Sequence, residues 1–339
     1  MRARTFHHSA FSAERIAAER AQRGLGVAVC LPARECAGTV GAIVTALLRL
    51  RESGAIDRIV VVDAASRDGT ADVAGRAGAE VWQEAELLPS FGAVLGKGDA
   101  MWRACSRLDS DLVCFLDADT ERFSEHFATG LLGPLVCEPS VDFVKAFYRR
   151  PLGAGDGAAA GEHLAPGDGA PARDGAPARD GGPARDGAIA GDGATAEGGG
   201  RVNHLTARPA LALLYPELAQ IRQPLAGEVA ARRELLQRLP FATGYGVEVA
   251  MLIDAWRAVG LDGIAQVDLE EHHNRHQPLS ALAPMALTVL ATIFERVQRE
   301  GRLLATRGVD GADDAGGADD PIAAHAPPER PPLASLTVA

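Results

Sequence analysis

The chain has 339 residues, of which 47% are hydrophobic, and it carries a formal net charge of −11 at pH 7. A chain of this length and composition can form one large α/β domain or two smaller ones with a substantial core. Most of the charge lies in residues 153–200 and 310–339, each with a net charge of −5. No basic stripe is present in the sequence, so nucleic acid is not an expected partner.

The sequence contains no segment typical of a secretory signal or a membrane-spanning helix. Residues 1–21 carry six charged side chains and lack a continuous apolar centre. No apolar stretch approaches the roughly 20 uncharged residues that a spanning helix needs. The five cysteines form no CxxC pair, which favours reduced thiols. We therefore expect a cytoplasmic protein without a membrane span.

The first third of the sequence alternates between apolar runs typical of strands and amphipathic stretches typical of helices. The predicted elements in chain order are a strand at 27–32, a helix at 40–48 capped by Thr39, a strand at 59–62, a helix at 71–76, a weak strand at 81–82, a helix at 97–108, and strands at 112–116 and 141–148. This alternation predicts a doubly wound, mostly parallel sheet, whose ligands bind beyond the carboxyl ends of its strands.

The composition divides the rest of the chain. A hexad, Gly-Ala-Pro-Ala-Arg-Asp, occupies 169–174 and 175–180 and recurs with one change at 181–186. Such a repeat cannot bury enough apolar surface to offset its ordering entropy, and the C-terminal tail has the same character. The predicted organisation is an N-terminal extension (1–24), an α/β region (25–152), a disordered insertion (153–199), a helix-rich region (200–306) and a disordered tail (307–339).

Two aspartates separated by one residue, Asp117 and Asp119, follow the apolar run 112–116 directly. Like charges this close repel one another, and a hard divalent cation with oxygen ligands relieves the repulsion. A cation held at a strand end can in turn bind a diphosphate. A solvated acidic loop is the alternative, and the position after a buried strand favours the cation site.

Two further polar segments lie at the edge where the predicted strands end. Asp63 and Ser66 follow the second strand, where they could contact the base or ribose of a nucleoside, or simply form a polar turn with Asp68-Gly69. Lys97 lies between two glycines before a predicted helix. It could contact a phosphate or a base carbonyl, or belong to a flexible surface loop.

Two segments of the second half have residue types suited to ligands. Glycines 198–200 and Arg201 precede a helix-like stretch at 206–214 and offer N–H donors to a phosphorylated or carboxylated ligand, unless they merely end the insertion. The run 270–276 (EEHHNRH) follows a strand-like segment at 264–269. One of its imidazoles could complete the metal site, and plain loop polarity is the alternative.

In combination and in order, these motifs resemble the glucosyl-3-phosphoglycerate synthases of actinobacteria. The resemblance spans about residues 25–300 apart from the insertion, and it rests on Leu31-Pro32-Ala33, Asp63 to Thr70, Gly96-Lys97-Gly98, Asp117-Ala118-Asp119, Gly200-Arg201-Val202, residues 241–248 (FATGYGVE) and Glu271-His272-His273-Asn274-Arg275. It implies a GT-A fold with a helix-rich acceptor-binding part and a homodimer. It also implies transfer of glucose, with retention and with Mg²⁺ or Mn²⁺, from UDP-glucose to the 2-hydroxyl of 3-phosphoglycerate.

The resemblance also implies roles for individual residues. The donor nucleotide would contact Pro32, Ala33, Asp63, Ser66, Lys97 and Asp117. The metal would bind Asp119 and His272, and the acceptor would contact Gly200, Arg201, Val202 and Asn274. Glu248 would lie near the sugar, where it would orient hydroxyls and stabilise an oxocarbenium-like centre rather than act as a covalent nucleophile.

The sequence departs from the family pattern at several positions beside these motifs. Glu35-Cys36 replaces an Asn-Glu pair, alanines follow Asp63, Glu270 stands where a basic residue is frequent, and Asn203 replaces a threonine. Two alternatives therefore stay open. One is a transferase of the same fold with another nucleotide sugar, such as GDP-mannose, or another small anionic acceptor. The other is a catalytically weakened nucleotide-sugar-binding protein.

Overall fold

The structure is a computed structural model that describes residues 2–151, 200–273, 278–302, 322 and 324–336. The predicted insertion and Asn274 lie outside the described residues. In chain order the elements are β1 (Arg4–His7), α1 (Ala13–Arg23), β2 (Val27–Ala33), α2 (Val40–Glu52), β3 (Arg58–Asp63), α3 (Thr70–Arg76), β4 (Glu80–Gln83), α4 (Lys97–Arg107), β5 (Leu112–Phe115), α5 (His126–Cys137), β6 (Phe143–Arg149), α6 (Arg208–Leu214), β7 (Val229–Arg232), α7 (Arg233–Arg238), β8 (Phe241–Ala242), α8 (Val247–Val259), β9 (Ile264–Glu271), α9 (Leu279–Arg299) and β10 (Glu329–Arg330).

Among the described residues, eight strands form one sheet in the order β1-β9-β6-β7-β5-β2-β3-β4. Neighbouring strands are parallel except at β7, which is antiparallel to both β5 and β6. Strands β2, β3 and β5 are almost entirely buried, as expected when helices cover both faces of a parallel sheet. The predicted α/β class and mostly parallel sheet are confirmed.

Helices pack on both faces of the sheet and create two apolar cores. On one face, α1, α2, α3 and α5 contribute buried side chains such as Ile43 and Leu131. On the other face, α4 and α6 to α9 contribute side chains such as Trp102, Leu252 and Ile293. The second face therefore carries most of the helices of the second half of the chain.

Several elements differ from the sequence prediction. Strand β1 belongs to the predicted N-terminal extension but pairs with β9 at the edge of the sheet. Strand β7 and helices α1 and α5 were not predicted. The hydroxyl of Thr39 does not cap α2; it donates to the carbonyl of Ala118 at 2.6 Å. Thr39 therefore holds the acidic loop rather than the helix end.

The prediction of a disordered tail is wrong for residues 324–336. Strand β10 pairs with β8, and the indole N–H of Trp102 donates to the carbonyl of Pro331 at 2.8 Å. Arg330 forms an ion pair at 2.7 Å with Asp99, whose side chain is fully buried. Composition failed here because a few specific anchors, rather than a large apolar surface, hold this segment against α4 and β8.

Helix α9 is the described helix that most resembles a membrane span. It has 21 residues and reaches a mean hydropathy of 1.4 over an 18-residue window, of which 33% is buried. The sequence analysis did not anticipate this. One side of the helix lies in the core through Ile293 and Val297, and Arg296 forms an ion pair at 2.7 Å with Asp254. Leu279 and Leu287 on the same helix are exposed.

Candidate active site

The acidic pair lies in a loop that neighbouring elements hold from several sides. Asp117 lies two residues after the end of β5, and the hydroxyl of Thr120 donates to its carbonyl at 3.1 Å. Strand β7 runs antiparallel beside β5, so Gly227, just before β7, lies against the Asp117 carboxylate. A Cβ at position 227 would lie 2.3 Å from the Asp117 carboxylate, so only glycine leaves room for the acid.

Asp117, Glu228 and His272 form a cluster whose ligand atoms all lie within 4.8 Å of one another. Glu228 and His272 are buried, and Nε2 of His272 lies 2.8 Å from the Glu228 carboxylate. The hydroxyl of Tyr148 donates to the other Glu228 oxygen at 2.7 Å. Burial alone would raise the pKa of Glu228, but His272 and Tyr148 together hold it well below its usual range.

This cluster has the ligands of a divalent cation site. Carboxylate oxygens and an imidazole nitrogen together suit Mn²⁺ and, with water, Mg²⁺. Nδ1 of His272 is buried and makes no hydrogen bond within the described part of the chain. Sequence reasoning found Asp117 and His272 but missed Glu228, although an acid directly before the apolar run 229–231 was a visible signal.

Asp119 is an exposed residue of the same loop and lies outside the cluster itself. Loss of water around its carboxylate and the nearby charge of Asp117 raise its pKa, while Lys97 and His272 oppose the rise. The two aspartates therefore repel one another as predicted. A cation between them would relieve that repulsion.

Lys97 connects the acidic cluster to Glu248. Its ammonium donates to Asp117 at 2.5 Å and to Glu248 at 3.0 Å. Burial disfavours the ammonium, but the two carboxylates raise the pKa of Lys97 well above its ordinary value, so it stays charged. A Cβ at Gly98 would lie 1.8 Å from the carbonyl oxygen of Ala242, so this glycine lets α4 approach β8 closely enough for the contact.

Lys145, in the middle of β6, is a buried charge that sequence reasoning missed. Its exposed fraction is 1%, and its side-chain ammonium makes no hydrogen bond or ion pair among the described residues. Burial lowers the pKa of Lys145 to about 8; Glu248 opposes the fall and Lys97 adds to it. A buried ammonium without a bonded partner is costly, which indicates that a ligand completes its environment. A lysine inside an otherwise apolar strand was the available signal.

The predicted nucleoside-contacting residues come together where β2 and β3 end. Pro32 pairs with Val62, and Ala33 pairs with Asp63. Asp63 is buried, and one of its carboxylate oxygens accepts from the backbone N–H of Ser66 at 3.2 Å. The other oxygen is buried and makes no hydrogen bond within the described residues. It is the natural acceptor for a ligand donor here.

The departures at Glu35 and Cys36 join two neighbouring loops. The backbone N–H of Glu35 donates to the Ser66 hydroxyl at 2.9 Å, and the Glu35 carboxylate accepts from the backbone N–H of Arg67 at 2.9 Å. The backbone N–H of Cys36 donates to the Thr70 hydroxyl at 2.8 Å, and burial raises the pKa of the Cys36 thiol to about 11. Both residues therefore act as internal supports, with Cys36 a neutral thiol.

The predicted acceptor loop begins the helical part of the second half. Gly200 has a left-handed backbone (φ +74°), and the chain is helical from Arg201 onward, five residues earlier than predicted. Val202 is buried in the core on the helix-rich face of the sheet. The carbonyl oxygen of the Asn203 side chain is buried and makes no hydrogen bond within the described residues, so it can accept one from a ligand.

Comparison with known proteins identifies relatives of this arrangement. Residues 28–150 match glycosyl transferase family 2. The glucosyl-3-phosphoglycerate synthase of Petrotoga mobilis is 34% identical over 303 residues, covering 88% of this chain and 82% of that protein. The glucosyl-3-phosphoglycerate synthase of Mycolicibacterium paratuberculosis is 40% identical over 278 residues, covering 82% and 74%.

Solved structures agree with the sequence relatives. A mannosyl-3-phosphoglycerate synthase from Rubrobacter xylanophilus superposes with a TM-score of 0.73 at 42% identity, covering 89% of this chain and 83% of that one. A glucosyl-3-phosphoglycerate synthase from Mycobacterium tuberculosis, in complex with Mn²⁺, uridine-diphosphate-glucose and phosphoglyceric acid, gives 0.72 at 31% identity and 98% coverage of both chains. The expected GT-A fold is confirmed. The chain is a glycosyltransferase and belongs to the glucosyl-3-phosphoglycerate synthase family.

Proposed function

We propose that this glycosyltransferase moves glucose, with retention, from UDP-glucose to the 2-hydroxyl of 3-phosphoglycerate in a metal-dependent reaction. The observation that carries the proposal is the Asp117–Glu228–His272 cluster, which Lys97 joins to Glu248. The M. tuberculosis relative was crystallised with Mn²⁺, UDP-glucose and phosphoglyceric acid together, which supports the same set of ligands here.

In this proposal Asp119 and His272 bind Mg²⁺ or Mn²⁺, with Asp117 of the cluster in a supporting role, so Asp119 must turn toward the cluster when the cation binds. The cation, when bound, neutralises charge that develops on the departing diphosphate. Glu228 fixes the ring of His272 through its 2.8 Å contact and is itself fixed by Tyr148. Such supporting hydrogen bonds orient metal ligands, so Glu228 acts as a positioning residue.

The groups around the sugar follow from the same contacts. Lys97 holds one oxygen of Glu248, which leaves the other free to orient glucose hydroxyls and to stabilise positive charge at the reacting carbon. Lys145 donates to an anionic oxygen of a substrate, because its ammonium is buried beside these groups and has no bonded partner among the described residues. The acceptor binds through Gly200, Arg201, Val202 and Asn274.

A second donor deserves a direct test because of one comparison. The R. xylanophilus structure at 42% identity is a mannosyl-3-phosphoglycerate synthase. Glu35 and Cys36 also stand at the loop that would grip the nucleotide, so GDP-mannose is the competing donor. Glucose and mannose differ at one hydroxyl, and a few polar contacts decide between them.

Product analysis tests the proposal. Purified protein is incubated with 3-phosphoglycerate and either UDP-glucose or GDP-mannose, with Mg²⁺ or with a chelator, and the product is identified by NMR. We expect α-linked glucosyl-3-phosphoglycerate from UDP-glucose and no product with the chelator. A mannosyl product alone would show that GDP-mannose is the donor, and a β-linked product would exclude retention. Nucleotide binding without any product would show that the protein binds nucleotide sugars but does not catalyse transfer.

The proposed homodimer has a candidate interface beside α6 and α9. Leu205, Leu213, Leu279 and Leu287 are large apolar side chains that are all exposed on or near these helices. Patches of this kind commonly mark association surfaces. We expect wild-type protein to be dimeric by light scattering and Leu213→Glu to be monomeric. A monomeric wild type would exclude the dimer.

A further inference from the structure

A second cluster of metal-binding side chains lies where β1 and β9 end side by side. The ligand atoms of His7, His8 and Glu270 all lie within 4.8 Å of one another. His7 ends β1 and pairs with Asp268 of β9, and Glu270 follows on the same strand. None of these three residues belongs to the proposed catalytic site. We propose that they bind a zinc ion or a similar first-row transition-metal cation.

The distances in this cluster fit a metal better than hydrogen bonds. One carboxylate oxygen of Glu270 lies 3.4 Å from Nε2 of His7 and 3.3 Å from Nε2 of His8. Good N–H···O hydrogen bonds are shorter, at about 2.9 to 3.0 Å. Zinc–ligand bonds of about 2.0 to 2.2 Å in a tetrahedron place neighbouring ligand atoms about 3.3 to 3.6 Å apart. Both observed separations match the edges of such a tetrahedron.

His8 supplies a second, independent observation. Its Nε2 is buried and makes no hydrogen bond within the described residues. The ring is held between the rings of His7 and His126, with centroid distances of 4.5 and 4.4 Å. The Glu270 carboxylate, 3.3 Å from this Nε2, satisfies it poorly, and coordination of a cation would remove the penalty of that poor contact.

The groups behind the ligands are also arranged as in metal sites. Nδ1 of His7 lies 2.8 Å from the Ser9 hydroxyl and accepts from the backbone N–H of Ser9 at 3.3 Å, so a metal at Nε2 requires the tautomer in which Nδ1 donates to that hydroxyl instead. Glu270 has a left-handed backbone (φ +65°), and its N–H donates to the Asp268 carboxylate at 2.8 Å. Such strained positions concentrate at functional sites, and here the strain turns Glu270 toward the histidines.

The cluster is open to solvent on one side. The side chains of His7 and Glu270 are 46% and 55% exposed, so a cation can enter and water can complete its coordination. Two imidazoles and one carboxylate favour zinc over Mg²⁺, which binds oxygen ligands. A bound ion would join β1 to β9 two residues before His272. We therefore expect it to stabilise this edge of the sheet.

Zinc counting tests the proposal without relying on catalysis. Metal-depleted protein is dialysed against zinc with an excess of Mg²⁺, and bound zinc is measured by atomic absorption. We expect the wild type to hold one more zinc per chain than His8→Gln or Glu270→Gln. Zinc should also raise the melting temperature of the wild type more than that of either variant.

His325→Gln is the matched control, because His325 is exposed and lies outside both clusters. It should keep the wild-type zinc count. His7→Gln, at a more exposed position, replaces His8→Gln if the latter does not fold. Equal zinc counts in the wild type and the folded cluster variants would overturn the proposal. The count does not depend on glycosyl transfer, so loss of the proposed function would leave this result unaffected.

Discussion

The two halves of the active site are built on different principles. In the first half, which β2, β3 and β5 form, Asp63 ends β3 and Asp117 lies just after β5, and their positions can be read from the sequence around them. In the second half, Glu228 and Lys145 reach the site because β7 is inserted antiparallel between β5 and β6. Local pattern therefore predicts the first set, whereas the second depends on which strands become neighbours.

The halves also differ in how their polar groups are satisfied. Around β2 and β3, Ser66 and Glu35 are engaged with backbone N–H groups of adjacent loops. In the second half, Glu228, Lys145 and His272 are charged or titratable groups at most 1% exposed. Buried charges are costly unless they are paired, so we expect this half to respond to an ionic ligand. From this comparison we expect the first half to recognise the shape of the nucleotide and the second half to recognise the charge of the ligands.

The largest expected effect comes from Asp119, the first-half residue predicted to bind the metal. Asp119→Asn removes a negative charge without changing shape, and we expect kcat/KM with Mg²⁺ to fall by about 100-fold to 1,000-fold, as when other transition-state stabilisers are removed. Steady-state kinetics at saturating Mg²⁺ measures the effect. Asp109→Asn, at an acid whose side chain is 86% exposed, is the control and should retain activity. Full activity in Asp119→Asn would locate the cation elsewhere.

How much the sequence could predict follows the same division. The parallel strands from 27 to 116 and the acidic loop were predicted because apolar runs and turn residues are local signals. Strand β7 has four residues and was missed, and with it Glu228. Strand β1 alternates partly buried and exposed residues over only four positions, too short a pattern to identify. Which strands become neighbours in the sheet depends on contacts between distant parts of the chain, and a single sequence does not reveal these contacts.

The C-terminal segment allows a second test of long-range assembly. Arg330→Ala would leave the fully buried Asp99 with Arg103, at 3.1 Å, as its remaining ion-pair partner. Breaking a buried ion pair typically costs about 3 to 5 kcal/mol, and the remaining arginine places our expectation near 3 kcal/mol in the free energy of unfolding. Urea denaturation measures the loss. Because β10 packs beside β8, catalysis should also weaken.

The matched control for Arg330 is an exposed pair of the same type. Arg149 and Glu271 lie 3.3 Å apart with side chains 57% and 44% exposed. Arg149→Ala should change the free energy of unfolding by less than about 1 kcal/mol. If Arg330→Ala changed the free energy of unfolding as little as Arg149→Ala does, residues 324–336 would contribute little to stability. The prediction of a disordered tail from composition would then be closer to the truth.

Lys145 tests whether the charge of the second half serves the ligand. Lys145→Met keeps the volume and removes the ammonium, so we expect kcat/KM to fall about 10-fold to 100-fold, the value of a charge-assisted hydrogen bond. Stability should not fall, because the ammonium has no bonded partner in the part of the chain that the structure describes. Lower activity with lower stability would instead indicate a structural role.

The same lysine gives a pH dependence. Its pKa is about 8 in the folded protein, below the value of about 10.4 in an unfolded chain. The charged form therefore opposes folding below pH 8, and this penalty disappears as the pH rises toward 10. Substrate affinity should change in the opposite direction. We expect KM to rise as the pH increases through about 8 in the wild type and to stay constant in Lys145→Met. Both proteins are measured with the same donor over a pH range in which the charge of that donor does not change.

The smallest expected effect concerns the insertion, which the two halves of the chain flank. Its Gly-Ala-Pro-Ala-Arg-Asp repeats predict little burial, so deletion of residues 155–196 should leave the melting temperature nearly unchanged. A shorter loop costs less closure entropy, about 0.6 kcal/mol per halving, so any shift should be upward. The tail had a similar composition and yet docks through Arg330 and Pro331. A clear fall in melting temperature after the deletion would show that the insertion contains comparable anchors, and that composition misjudges both segments for the same reason.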